Sequence, residues 1–316
     1  MALALMLSVL IGSNPVPPGQ LWQAIAGGGS DEARYIVWSQ RLPRTFAAVV
    51  VGIALAVSGA LVQAYTRNPL ADPGILGVNA GAALFVAIGV AFLGITTSTG
   101  YVWLACAGAL VVTVVVYALA APARGAADPL RLTLSGVAIG AVLSGLTTGI
   151  SLTNPDAFDR MRGWNAGSLL ERGFDVSLPV LPIIGIGLVL AAAVAPSLNS
   201  VALGADVARS QGVNVARTNA LVVLSMTLLA GGATAIAGPI GFVGLMIPHI
   251  ARWLLGVDQR RILAGSLVLG PVLVLLADVV GRVAIVPSEM PAGIVTAFVG
   301  APVLIALVRR RKATAL

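Results

Sequence analysis

Long apolar runs alternate with short polar gaps along the whole chain, and the gaps hold most of the charged residues. The runs are about 18–22 residues long, the length that an α-helix needs to cross a hydrocarbon core about 30 Å thick. The pattern predicts an all-α, polytopic membrane protein with about ten transmembrane helices, and a soluble bundle with a very large core is the alternative. We place the spans at residues 1–11, 44–64, 74–94, 101–121, 130–150, 178–196, 218–237, 241–256, 262–281 and 291–308.

The first and eighth spans depart from this regular pattern. Only about eleven apolar residues precede Gly12, so the first span is too short to cross unaided; either its start is truncated or its helix enters obliquely. It lacks the basic segment and the small-residue cleavage site of a secretory signal, and we therefore count it as a short span. The eighth span is interrupted by glycines and a proline, which leaves the helix count uncertain by about one.

Composition and charge agree with a membrane protein. Hydrophobic residues make up 58% of the chain and charged residues only 10%, against roughly 25% charged residues in a soluble domain. If the N-terminus is cytoplasmic and the sides alternate, twelve of the 19 Lys and Arg residues fall in inner gaps. This distribution follows the positive-inside rule and predicts that both termini are cytoplasmic. The formal charge of +7 then reflects topology; a nucleic-acid surface is the competing interpretation, but no soluble domain is predicted to carry it.

Residues for catalysis or ion coupling are sparse. Lys312 is the only lysine, so the chain has no Walker A loop, whose lysine binds nucleotide phosphates. His249 and Cys106 are each the only residue of their type, too few for a metal site of ordinary ligand count. We therefore expect no catalytic residue and no bound metal. Asp278 is the deepest carboxylate, and its i,i+4 spacing from Arg282 favours an ion pair over a role in ion coupling. The energy for transport should then come from another subunit.

Two segments predict unusual backbone inside the membrane. Residues 41–83 predict a helix that begins after Pro43, ends in a proline-rich turn at 68–73 and is followed by a glycine-rich helix. Residues 237–253 contain a Gly-Pro break, and the glycines and the proline that follow predict an irregular helix. Irregular backbone at membrane depth is tolerated where protein or a water-filled cavity covers it, so this segment indicates either a pathway or a tightly packed helix pair.

A third segment, residues 198–219, forms the longest inner gap and is small, polar and basic. It predicts a short cytoplasmic helix at 205–211 that ends near Gly212, because glycine is a good helix terminator. Such a helix is suited to docking a partner, and an ordinary solvated loop is the alternative.

Ordered motifs connect these segments. They are Arg41-Leu-Pro-Arg44, Ser58-Gly59, Gln63, Asn68-Pro-Leu-Ala-Asp-Pro-Gly74, Leu76-Gly77-Val78, Ala202-Leu-Gly204, Ala208-Arg209, Gly212-Val213, Gly238-Pro-Ile-Gly-Phe-Val-Gly-Leu245, Pro248-His249, Arg252, Glu289, Pro291, Gly293, Thr296 and Gly300-Ala-Pro302. The motifs closely resemble those of the FecCD family, the permease subunits of bacterial ABC importers for iron–siderophore complexes, haem and vitamin B12. The resemblance covers the chain from about residue 12, and the shortened first helix is the departure from it.

The resemblance implies a single transmembrane domain over residues 1–316 with the type II ABC importer architecture, in the bacterial cytoplasmic (inner) membrane. Two permease subunits would form the pathway at their interface. Two ATPase subunits would bind ATP and Mg²⁺, so this chain would need no cofactor, and an extracytoplasmic binding protein would deliver the cargo. An ion-coupled secondary carrier or channel is the alternative function, and an intramembrane enzyme is a further one.

The resemblance also implies three groups of site residues. Arg41, Arg44 and Arg282, at outer helix ends, would dock acidic residues of the binding protein; snorkelling, or pairing with Asp278 for Arg282, is the alternative. A coupling segment at about 198–217 would contact the ATPase subunit. Its matching residues are Leu203, Gly204, Ala208, Arg209, Gly212 and Val213.

The third group is a predicted pathway lining of Asn79, Ser144, Thr147 and Thr148. Asn79 follows the proline-rich turn, which the resemblance places near the translocation route. The three hydroxyl residues follow i, i+3, i+4 spacing and therefore share one face of the fifth span. Such side chains also bond their own helix backbone or join helices, which is the competing interpretation.

Overall fold

The computed structural model describes residues 1–120, 129–285 and 287–311, and within these ranges every regular element is helical. This confirms the predicted all-α class, and each of the ten predicted spans coincides with a helix. Lys312 lies outside the described residues. The helices are α1 (Ala2–Leu10), α2 (Pro18–Ile25), α3 (Asp31–Tyr35), α4 (Leu42–Thr66), α5 (Val78–Leu93), α6 (Ser98–Ala120), α7 (Pro129–Thr153), α8 (Pro155–Asn165), α9 (Phe174–Ser177), α10 (Leu181–Ala202), α11 (Ala205–Ser210), α12 (Val215–Ala237), α13 (Val243–Leu255), α14 (Gln259–Ala284) and α15 (Ala292–Arg311).

The ten helices that match the spans differ in length. In the described part of the chain, six helical stretches are long and apolar enough to cross a membrane, and α1 is much shorter. Three further apolar helices, Val78–Leu93, Val243–Leu255 and Ala292–Ala306, are of intermediate length. The six long stretches are Asp31–Thr66, Ser98–Ala120, Leu130–Thr153, Phe174–Ala202, Val215–Ala237 and Gln259–Ala284.

One predicted helix start and one predicted irregular helix are wrong. The second span does not begin after Pro43, because a π turn (Ile36–Arg41) joins α3 to α4 and Pro43 occupies the second position of α4. Proline is tolerated in a first turn, where its missing N–H removes no helix bond. The segment after α12 is irregular only over residues 238–242, and α13 is regular through Pro248. Gly238 and Phe242 adopt positive φ angles of 73° and 68°, which complete the turn before α13 begins.

The central helix of the fold is α4, which packs against α10, α12, α13 and α14. Two of these contacts depend on glycine. A Cβ atom at Gly52 would overlap the backbone of Gly270, and one at Gly59 would overlap the backbone of Gly244. Helices in lipid gain little from the hydrophobic effect and associate mainly through such close packing of small residues. At these two points α4 is therefore in direct backbone contact with α14 and α13, which leaves no room for a side chain between them.

The surroundings of α4 and α12 are similar. Each helix is deeply buried, and each leads through a turn with a positive-φ glycine, Gly77 or Gly238, into a shorter helix. The shorter helices α5 and α13 then pack against the long helices α6 and α14. This arrangement is typical of the structural repeats of transporters, in which interrupted helices occupy corresponding positions.

By contrast, α7 lies at the edge of the fold and exposes most of its side chains. Its exposed residues include Ala141, Gly145 and Gly149, which are four residues apart. No atom lies within 4 Å of a Cβ built at Gly145 or Gly149. In a membrane, this face must contact lipid or another subunit.

Candidate functional site

The three arginines predicted to dock a partner lie together at one end of the fold, where α1 ends, α4 begins and α14 ends. Arg44 donates from Nε and Nη2 to the carboxylate of Asp278 at 2.7–3.0 Å. Arg282, one turn after Asp278, donates to its Oδ2 at 2.6 and 3.0 Å. All three residues are buried. The ion pair that the i,i+4 spacing predicted is therefore present, and Arg44 joins it from another helix.

Two of the arginines also bind the end of α1. Arg41 donates to three main-chain carbonyls between residues 9 and 14, at 2.7–2.9 Å. Arg282 donates to the carbonyls of Ser8 and Ile11 at 2.6 and 3.0 Å. The last carbonyls of a helix lack partners within it and carry partial negative charge. The guanidinium groups of Arg41 and Arg282 therefore cap the end of α1. In return, the partial negative charge of these carbonyls helps to balance the positive charge of the arginines.

Glu289, in the turn between α14 and α15, completes this group of residues. It accepts hydrogen bonds from Ser13 Oγ and from Arg44 Nη1, both at 2.5 Å. Burial alone would raise the pKa of Glu289, but the Ser13 hydroxyl and the charge of Arg44 together lower it below its ordinary value of 4.5. The ionised Glu289 fastens this turn to the segment that follows α1. We call Arg41, Arg44, Asp278, Arg282 and Glu289 the arginine cluster.

Within the described residues, groups of the same chain accept from all five N–H donors of Arg282, but from only three of the five of Arg41 and of Arg44. A cavity of about 40 Å³ borders all three arginines beside Gln40. An incoming carboxylate would compete with Glu289 at Arg44 or use the remaining donors, and the docking role stays a prediction. The sequence did not reveal that Glu289 and the α1 carbonyls are the partners, because they lie far from the arginines along the chain.

The predicted short helix in the coupling segment is present as α11, between α10 and α12. Gly204 and Gly212 flank it, with φ angles of 122° and 79° that side chains rarely adopt. Ala208 is fully buried and packs against Val201 and Val215. Val213 is half-buried against the same residues. Ala208 and Val213 therefore support the segment from inside rather than form its exposed surface.

The exposed surface of this segment is formed by other residues. Leu203 is 68% exposed and Val207 40% exposed, beside an exposed ion pair between Arg209 and Asp206 at 2.6 Å. Gly204 is half-buried and Gly212 exposed. Contact of these residues with an ATPase stays a prediction, and Val207 is an exposed apolar residue that the sequence analysis did not select.

Hydrogen bonds fix the base of the coupling segment to the bundle. Asn199, near the end of α10, donates to Asp258 Oδ1 at 2.9 Å and accepts from the amide of Gln259 at 2.8 Å. The Asn199 bond and the backbone amide of Arg260 lower the pKa of Asp258. Asp258 also caps α14, so these bonds join the end of α10 to the long helix that carries Asp278 and Arg282.

Asn79 lies at the start of α5, after the proline-rich turn, and is half-buried. Its Oδ1 accepts from Thr234 of α12 at 2.9 Å. In the same turn Asp72 accepts from the Gly74 amide at 2.8 Å; burial raises the pKa of Asp72, and this hydrogen bond opposes the shift. Asn79 thus joins two helices, and its pathway role stays a prediction.

The three hydroxyl residues predicted to share one face of α7 differ in their exposure. Ser144 and Thr148 are exposed, whereas Thr147 is only 6% exposed. Thr147 donates to the carbonyl of Leu143 at 2.8 Å, and Thr148 donates to that of Ser144 at 2.9 Å. The two threonines therefore bond their own helix, as the competing interpretation held, but Ser144 and Thr148 still lie on the unpartnered face.

A cavity of about 570 Å³ lies between α15, the end of α8 and the turn after α12. Close backbone packing forms its floor: a Cβ at Gly167 would overlap the Pro239 carbonyl, and one at Gly293 would overlap the Ala166 carbonyl. The sequence analysis missed this cavity, although the Gly-Pro break before it was a signal. Its lining residues are Asn165, Ala166, Pro239, Gly293, Ile294, Ala297, Phe298, Ala301 and Pro302.

Known proteins are similar to this chain in sequence and in architecture. The chain matches the FecCD transport family over residues 1–310. It is 47% identical over 309 residues to the ferric enterobactin transport system permease protein FepD of Escherichia coli K12, covering 98% of this chain and 92% of that protein. It is 36% identical to the vitamin B12 import system permease protein BtuC of Citrobacter koseri, covering 99% and 92%. A solved metal-chelate type ABC transporter in an inward-facing conformation superposes with a TM-score of 0.83 at 26% identity, covering 98% of this chain and 95% of that one.

The apolar helices, the interrupted repeats and the similarity to known permeases define a polytopic membrane permease. The chain belongs to the FecCD transport family.

Proposed function

We propose that the chain is the permease subunit of an ABC importer that carries a ferric siderophore across the cytoplasmic membrane. The observation that carries this proposal is the family match over residues 1–310 together with the 47% identity to a ferric enterobactin permease. Relatives named for ferric citrate, ferric hydroxamate and vitamin B12 are 36–39% identical, so another metal chelate is the alternative cargo. In this proposal ATP hydrolysis belongs to the partner subunits, and we expect no catalytic residue in the permease.

A second permease subunit, identical or homologous, would pack against α7. The exposed Ala141, Gly145 and Gly149 permit close approach of another helix. Ser144 and Thr148 lie beside them and would face the aqueous pathway between the two subunits. A few hydroxyl groups in an otherwise apolar wall suit a large polar cargo that must also be released.

Two ATPase subunits would bind ATP and Mg²⁺ and dock on residues 198–217, at the cytoplasmic side, where both termini would also lie. The exposed Leu203 and Val207 offer apolar contact, and the flanking glycines let a partner approach the backbone. Replacing both Leu203 and Val207 with Ala should lower substrate-stimulated ATP hydrolysis, because it removes the apolar contact with the ATPase. Both side chains are exposed, so the change should leave the fold of the permease intact. The same changes at Leu254 and Val257, exposed residues near the α13–α14 turn, are the matched control.

An extracytoplasmic binding protein would dock near the arginine cluster. Its carboxylates would compete with Glu289 for Arg44, because an arginine can bind either carboxylate through two parallel hydrogen bonds. Glu289→Gln should therefore tighten association with the binding protein at low salt. Unchanged or weaker association would argue against docking at these arginines.

Transport in proteoliposomes tests the whole proposal. We expect uptake of a radiolabelled ferric siderophore when the chain is reconstituted with its ATPase subunits, ATP and the cargo-loaded binding protein. Omitting the ATPase subunits should abolish uptake. Uptake that persists without them, and follows an ion gradient, would instead establish the secondary carrier or channel.

A further inference from the structure

A continuous apolar groove runs along the outside of α6 and α12. Its first part, about 230 Å³, is bordered by Thr113 and Tyr117 of α6 and by Leu224 of α12. Its second part, about 350 Å³, continues towards the start of α10. Leu110 and Thr227 border both parts, so the two cavities adjoin. We call them together the α6–α12 groove.

The proposed transport function does not account for this groove. Its lining residues belong to α6, α10 and α12, and none belongs to α7, to α11 or to the arginine cluster. The helices that form it are long enough to cross a membrane, so the groove extends along the hydrocarbon region. Acyl chains are the apolar groups that are abundant there.

A polar group inside the groove lacks a partner. Thr113 is only 3% exposed, and its hydroxyl has no hydrogen-bond partner among the described residues. Serine and threonine hydroxyls in helices ordinarily bond a carbonyl of the preceding turn, as Thr227 across the groove does to Val223 at 2.8 Å. The hydroxyl is buried in the wall of the groove, and a rotation of the Thr113 side chain would present it to a polar atom of a bound molecule.

The groove also has a basic end. Arg217 precedes Ala220 by three residues and Leu224 by seven, so it lies on the face of α12 that lines the groove. It is exposed, and its side chain has no ion-pair partner within the described part of the chain. Arg217 is in the first turn of α12, where the helix dipole also attracts anions; its own backbone amide is capped by Asn214, so the guanidinium group is the anion-binding donor of this residue.

We propose that the α6–α12 groove binds one acyl chain of an anionic phospholipid. The phosphate lies at Arg217 and the first turn of α12, the ester region is near Tyr117 and Thr113, and the chain extends past Leu110 towards α10. A protein segment fits less well, because the groove offers few polar groups to pair with the backbone amides of an extended chain. The site would hold a lipid of the leaflet that faces the start of α12.

Lipid retention by the purified full-length chain tests this proposal. The chain in mild detergent is titrated with phosphatidylglycerol or with phosphatidylcholine, and retained lipid is counted by native mass spectrometry. We expect one tightly held phosphatidylglycerol per chain and weaker retention of phosphatidylcholine. Arg217→Gln should lower the preference for phosphatidylglycerol about fivefold, as expected for one basic residue near an anionic headgroup. Arg261→Gln is the matched control, because Arg261 is also exposed and also the third residue of a long helix.

Filling the groove should remove both lipids. Ala220→Phe places a ring in the first cavity, and Val114→Trp narrows the same cavity from its exposed side. Two variants are used so that a folding defect in one of them does not decide the result. Retention that matches the unmodified chain in both variants, or an equal loss in Arg217→Gln and Arg261→Gln, would overturn the proposal. Because the assay needs neither cargo nor ATP, its outcome does not depend on the proposed transport function.

Discussion

At the residue scale, the arginine cluster depends on one carboxylate. Asp278 is 1% exposed and accepts hydrogen bonds from both Arg44 and Arg282. Replacing it by Asn would leave two buried guanidinium groups short of a counter-charge, and breaking a buried ion pair in this way costs about 3–5 kcal/mol. We therefore expect Asp278→Asn to lower the thermal unfolding midpoint of the purified protein strongly.

An exposed ion pair on α11 supplies the control for that experiment. Asp206 pairs with Arg209 in full contact with solvent, and such pairs contribute about 0–1 kcal/mol. Asp206→Asn should leave the midpoint nearly unchanged. Equal effects of the two substitutions would mean that Asp278 is not a structural counter-ion.

Glu289 makes the stability of the same region depend on pH. Its pKa in the folded protein is below the ordinary 4.5, so its contribution is fully present above that value and is lost as pH falls through the folded pKa. Glu289→Gln removes the titration. The unfolding midpoints of the original chain and the variant should differ at neutral pH and converge as the pH falls below the folded pKa of Glu289. A difference that persists in acid would contradict the proposed ion pair with Arg44.

At the element scale, the closest helix contacts depend on the absence of a side chain. A Cβ at Gly59 would overlap the backbone of Gly244, whereas one at Gly145 on α7 would meet nothing within 4 Å. Gly59→Ala should therefore separate α4 from α13 and destabilise the fold by about 1–3 kcal/mol, the usual cost of overpacking. Gly145→Ala should not lower the unfolding midpoint of the isolated chain, because Ala favours a helix over Gly and its methyl group meets no other element. If both variants unfold alike, the α4–α13 contact is looser than described.

The sequence predicted the membrane-spanning helices better than the short helices that connect them. Hydropathy located all ten spans, because a helix in lipid must be apolar over a length set by the bilayer. It did not predict α2, α3, α8 and α9, since short helices outside the hydrocarbon core need no long apolar run. The predicted irregularity of the eighth span was wrong, because Pro248 was taken to disturb a helix that in fact continues through it.

Site residues divide in the same way. The i,i+4 pair of Asp278 and Arg282 could be predicted from local spacing. Arg44 pairs with Asp278 and with Glu289, which lie 234 and 245 residues away along the chain. Such pairs depend on how the helices assemble and cannot be predicted from the spacing of residues in one sequence. The burial of Ala208 beneath α11 likewise follows from tertiary packing.

At the scale of the whole molecule, two ends of the fold are joined by α14. Asp258, at its start, is bonded to Asn199 next to the coupling segment, and Asp278 and Arg282, near its other end, belong to the arginine cluster. A single long helix with a polar anchor at each end connects the two sides of the fold, although Pro271 interrupts its hydrogen-bond ladder near the middle. One face of α7 is exposed, and we expect the two-subunit pathway to form there.

The last prediction tests that pathway. In a Cys106→Ala background, cysteine placed at Ser144 or Thr148 should react with a water-soluble thiol reagent in the assembled transporter, at a rate that changes with nucleotide state. Only a thiolate reacts, and a thiol ionises in a water-filled pathway but not in lipid or in a packed interior. Thr147→Cys is the matched control, because Thr147 is next to Thr148 but buried, and it should react at least about tenfold more slowly. If Ser144→Cys and Thr148→Cys are as inert as the control in every nucleotide state, the exposed face of α7 meets lipid or a dry subunit contact, and the pathway must be lined by other helices.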